Sequence, residues 1–184
     1  MKRLVLALVP LFVAGAAFAE TGFQFAAPGV NAPSDPNVRG ARLSFLHGEN
    51  QSVRGVDFGI LSLSETSRAS GVAFICGVHY VKQAMSGGAA FSLVNYHTGH
   101  DSGVNGAFVN VLNDTSGAFT TGFVNYAEGA TLVDLGGINI SRSSTAQIGF
   151  LNITDRIEGF QFGFLNIAEN GFLPVFPVFN FPAH

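Results

Sequence analysis

Residues 159–167 alternate. Phe160, Phe162 and Phe164 are apolar, and Gln161 and Gly163 between them are polar or small. The phase then slips, because Leu165 and Ile167 are both apolar and flank Asn166. Period-two alternation predicts a β-strand, and the slip predicts a bend or bulge between Phe164 and Leu165. The pattern recurs along the chain. Aligned on the asparagine it gives Asn95, Asn110, Asn125, Asn139, Asn152, Asn166 and Asn180, at steps of 15, 15, 14, 13, 14 and 14. Upstream, His47, Ser62 and His79 hold the same slot. Ten units of this kind cover residues 40–181.

Each slot has its own chemistry. The residues before and after the Asn slot are apolar or Tyr in every unit, except that Gly48 follows His47. Three before it stand small residues, with Cys76 and Pro177 in the same count. By that count Cys76 is a small buried packing residue, not a reactive thiol. Five before it the slot is mixed: Arg42, Asp57, Asn105, Thr120, Asp134, Gln147 and Gln161. Such a mixture is expected on a solvated face. Between units lie turn-rich stretches such as 113–116 and 168–171, which carry much of the charge.

These features predict an all-β protein, a β-solenoid-like stack of about ten 14–15-residue coils. Stacked Asn would form a ladder and stacked Phe and Leu a continuous core. The alternative is a ten-stranded antiparallel meander closing into an outer-membrane β-barrel. Its alternating segments are short for spanning strands, all its connections are short, and Trp is absent.

Composition places the chain outside the cytoplasm. Lys2 and Arg3, an apolar stretch from Leu4 to Val13, and Ala17-Phe18-Ala19 form a signal peptide, with cleavage expected before Glu20. The expected organisation is residues 1–19 leader, 20–37 a proline-containing lead-in or cap, 38–181 one repeat domain, and 182–184 a tail. The mature chain keeps seven basic and twelve acidic residues, a formal charge of −5. That balance excludes a nucleic-acid partner. One cysteine leaves no internal disulfide, so packing and backbone pairing must hold the fold.

Candidate chemistry is sparse. His97, His100 and Asp101 lie within five residues and would hold Zn²⁺ or Cu²⁺ if a further ligand stood nearby, but a polar inter-unit turn explains them equally. Nothing calls for a cofactor. No nucleophile elbow or phosphate loop is present, and no carboxylate pair stands out. Pro174 and Pro177 lack backbone donors, which suits a terminal unit that stops end-to-end growth.

The entry stretch Val38-Arg-Gly-Ala-Arg-Leu-Ser-Phe-Leu-His-Gly-Glu-Asn50, followed by Val53-Arg-Gly-Val-Asp-Phe-Gly59, resembles short exported surface-repeat proteins of Gram-negative bacteria, built from iterated G-x-Q-x-G-L-x-N units. The resemblance spans residues 38–181 and implies an exported, envelope-associated repeat protein with no catalytic residue. It places the chain in the periplasm, outer membrane or at the cell surface after Sec export. The expected role is a non-enzymatic scaffold for an envelope or surface partner, with membrane association open.

Overall fold

A computed structural model describes residues 20–183. The expected leader therefore lies outside the described residues. The chain forms one sheet in the order β2-β1-β3-β4-β5-β6. Its strands are β1 (Thr21–Ala27), β2 (Val30–Ala32), β3 (Asn37–Met85), β4 (Ala89–Asp101), β5 (Val104–Ala168) and β6 (Val175–Asn180). β5 runs for 65 residues. Drawn out flat at ~3.3 Å per residue it would span roughly 215 Å. It winds instead, stacking on itself coil after coil.

The pairings β1–β3, β3–β4 and β4–β5 are parallel. Asn95 pairs with Asn110 and Phe91 with Gly106, so equivalent slots stack from one coil to the next. This is the β-solenoid, and its parallel register excludes the antiparallel meander. Stacking continues through β5, where the Phe108 and Phe123 rings lie 5.3 Å apart and the Phe150 and Phe164 rings 4.9 Å apart. The phase slip is a corner. Phe164 points out, Leu165 remains half-buried, and Asn166 points fully inward. In the early coils the residue before the Asn slot turns this corner in the left-handed region, with φ of 63° at Leu46 and 47° at Leu61.

The ends differ from the sequence expectation. Thr21–Ala27, expected to lie outside the repeat, is a strand in parallel register with β3, and β2 folds back antiparallel on it. At the other end β6 also reverses. Asn180 pairs with Gln161 and Phe162 with Phe179, antiparallel, so the tenth unit is a returning strand and not a tenth coil. Asn180 consequently leaves the Asn column. It donates to Gln161 Oε1 at 3.3 Å. Chain reversal thus puts an antiparallel strand at each edge of the sheet, β2 on β1 and β6 on β5.

Candidate functional site

The interior is polar and the exterior apolar, the reverse of what the alternation suggests on its face. The slot five before the Asn, expected to be solvated, faces inward: Arg42, Asn105, Thr120, Gln147 and Gln161 are fully buried, and Asp57 and Asp134 nearly so. The phenylalanines expected to form the core stand outside. Phe150, Phe162 and Phe164 are 66%, 51% and 69% exposed. Buried apolar residues are mainly Ala and Val, with Leu112, Ile157, Ile75 and Met85 as larger fillers.

Polar groups are tolerated inside because they bond to one another. Asn95 Nδ2 donates to Asn110 Oδ1 at 2.9 Å, and Asn110 continues to Asn125, Asn125 to Asn139, Asn139 to Asn152 and Asn152 to Asn166, each at 2.8 Å. The second hydrogen of each Nδ2 from Asn110 to Asn152 goes to a backbone carbonyl 3.0 Å away: Thr121, Leu135, Ile148 and Phe162. Ser92 Oγ donates to the first Oδ1, on Asn95, at 2.8 Å. The small slot has the same cause. A Cβ on Gly149 would lie 2.6 Å from Asn139 Nδ2 and collide with the carbonyl oxygen of Gly136.

Charged groups inside the stack are equally well partnered. Arg42 bonds Asp57 through both Nε and Nη2, and also Asn50 and Ser64. Asp134 accepts from Thr120 at 2.6 Å, Thr131 at 2.7 Å, Ser144 at 3.0 Å and Gln147 at 3.2 Å. Among the described residues no cation pairs with this carboxylate, which is held by four neutral donors. Sequence reasoning missed both carboxylates. The available signal was the spacing of Arg42 and Asp57, one repeat apart in the same slot, as a buried stacked ion pair requires.

The metal-like cluster is not brought together. His97 and Asp101 are buried and bonded to each other, and His97 Nε2 lies 3.2 Å from His79 Nδ1. His100 points outward and meets Asp114 at 3.2 Å. Among the described residues no group of three or more His, Cys, Asp or Glu is placed to hold a metal ion. Asp101 also accepts from the Gly103 amide at 2.7 Å and from Asn105 Nδ2 at 3.1 Å. Burial works to raise its pKa, but the His97 bond and these donors hold it below the ordinary Asp value. Burial, and the neighbouring His97, push His79 down to about 3, so it stays neutral. Of the early units, Ser62 faces inward and donates to Ser44, whereas His47 stands outside against Glu65. Lys82 bridges Glu65 at 2.7 Å and Glu49 at 3.0 Å. The Lys82 bond keeps Glu65 below the usual carboxylate range.

Cys76 is exposed. Ile75 pairs with Ser92 and Val78 with Val94, so two residues, Cys76 and Gly77, bulge between them. Counting back from His79 had put Cys76 in the small slot, which Ile75 occupies.

Outside, two walls meet at the corner. On the six coils from Asn95 to Asn166, the first wall is built from eighteen positions, the residues six, four and two before each Asn, all but Ala146 at least partly exposed. None is charged and only Thr121 is polar. The second wall presents the residues flanking each Asn, all of them Val, Ile, Leu or Tyr. The exposed charged side chains of these coils, among them Asp114, Glu128, Arg142, Asp155 and Glu158, stand off these two walls. The described chain exposes 28 large hydrophobic side chains. No family model matches the chain, and no curated protein or solved structure is similar to it.

Proposed function

We propose that the protein is an exported, non-enzymatic scaffold of the bacterial envelope that works by covering its two uncharged walls with an apolar partner. One observation carries this reading: the apolar residues form uncharged outer walls over a polar interior whose Asn column is hydrogen-bonded from coil to coil. Such a stack needs no Phe core to fold, so the Phe columns are free to bind. The buried His97–Asp101 and Arg42–Asp57 pairs serve the fold, because both are enclosed and already bonded. Export rests on the leader sequence, and envelope location on the resemblance to surface-repeat proteins. Fractionation of the producing cell with N-terminal sequencing tests the reading. A mature chain beginning at Glu20 in periplasm, envelope or medium is expected. A full-length chain in the cytoplasm contradicts it. The Phe150→Lys, Phe164→Lys double variant should keep its β circular dichroism yet lose its envelope association. Unchanged association would show that these walls do not carry the function.

A further inference from the structure

We infer that a small cavity between Asp57, Thr66 and His79 is a binding site for one water molecule, which joins two buried clusters, Arg42–Asp57 and His79–His97–Asp101, into one network. The site lies inside the stack, apart from the two outer walls.

It stands upstream of the Asn ladder, which begins at Asn95. There the slot five before the Asn loses its long polar side chains. Ala73 pairs with Ala90 and Ala90 with Asn105, so two alanines interrupt the column between Asp57 and Asn105. The coil is also long. Ser62 and His79 are 17 residues apart, against 13 to 15 between the ladder asparagines. Short side chains in a long coil leave a cavity of about 20 Å³, where Val53, Ala73 and Met85 surround Asp57, Thr66 and His79. One water needs about 10–15 Å³ and about two to four polar partners.

Thr66 points to the occupant most directly. Its hydroxyl is buried, the residue being 1% exposed, and has no hydrogen-bond partner among the described residues. A polar group left unpaired in a dry interior is costly. Asp57 Oδ1 accepts from Arg42 Nε at 2.8 Å and has a second lone pair. His79 uses Nδ1 on His97, at 3.2 Å, and lines the same cavity.

The lining selects the ligand. Asp57 repels an anion. A cation would find Asp57 already paired with Arg42 and would stand beside that guanidinium. An apolar occupant would leave the Thr66 hydroxyl unmatched. Water donates to Asp57 and serves Thr66 and the His79 ring in either direction. It therefore does for this coil what the Asn side chains do for the coils that follow.

A high-resolution crystal structure of the mature protein tests the site, and water-to-methyl NOE measurements test it in solution. One density peak is expected in the cavity, within hydrogen-bond distance of Thr66 Oγ1, an Asp57 oxygen and a His79 ring nitrogen. The Ala73 and Thr66 methyl groups should show NOEs of the sign given by a water held longer than a nanosecond. Thr66→Val should keep the β circular dichroism but lose the peak and the Ala73 NOE. Thr66→Ser, which keeps the hydroxyl, should retain both. A cavity without density overturns the proposal, and so does a Thr66 hydroxyl turned onto a protein acceptor. A peak with the anomalous scattering or the short contacts of a metal ion overturns water as the ligand. A Thr66→Val protein that keeps the Ala73 NOE overturns the part given to Thr66.

Discussion

Exchanging Asn139 for Ala should cost the fold more than exchanging Phe150 for Ala, the opposite of the usual order. Asn139 is fully buried, accepts from Asn125 and donates to Asn152 and to the Ile148 carbonyl. Its loss orphans one hydrogen on Asn125 and the Oδ1 of Asn152, both in a dry interior. At 1–3 kcal/mol for each buried unsatisfied group, the cost is about 4 kcal/mol. Phe150 is two-thirds exposed and its main fixed contact is the Phe164 ring. Burying about a third of a Phe, plus one aromatic contact, is worth about 1–1.5 kcal/mol. Urea unfolding followed by far-ultraviolet circular dichroism measures both, at a concentration low enough that stability no longer depends on it. A Phe150→Ala loss equal to or larger than that of Asn139→Ala would refute the polar-interior account.

Three further outcomes are expected. Gly149→Ala should destabilise by about 2 kcal/mol or more in the same urea assay, because its Cβ enters the Asn139 amide and the Gly136 carbonyl; a neutral result contradicts the small-slot explanation. Stability should fall on acidification: His79 has its folded pKa lowered to about 3 against an unfolded value near 6.5, so the unfolded chain binds the extra proton between these limits. The loss is about 1.4 kcal/mol per pH unit as pH drops from about 6 toward 4, and His79→Gln should flatten that slope; an unchanged slope assigns acid sensitivity elsewhere. Replacing Pro174 with Ala and Pro177 with Gly should produce end-to-end fibres visible by electron microscopy, because donors return to the closing strand; short particles at high concentration contradict the capping role.

The period and the Asn slots were legible because stacking forces one chemistry per column. The corner after Phe164 was legible for the same reason. What the alternation left open was which face turns in. Alternation defines two faces, and composition favours Phe inside and Gln outside. The contrary signal was volume. The outer column two before the Asn runs from Leu93 through Phe108 and Phe123 to Gly137 and back to Phe150. An interior column cannot change volume that far between neighbouring coils without a void or a clash. The inner column instead holds residues that bond to their own kind, as in Gln161 to Gln147 at 2.8 Å. Cys76 was misplaced because counting backward from His79 cannot register the one extra residue of a bulge. His97 and His100 looked like one site because adjacency in sequence hides the alternation that sends one inward and the other out.

Hydrogen exchange of the side-chain amides tests the inverted stack most directly. With ¹⁵N-asparagine labelling, Asn110, Asn125, Asn139 and Asn152 should keep their Nδ2 protons for hours, while the half-buried Asn113, which stands outside the Asn column, exchanges far faster. Ladder amides that exchange as fast as that of Asn113 would mean that the Asn columns do not form the interior.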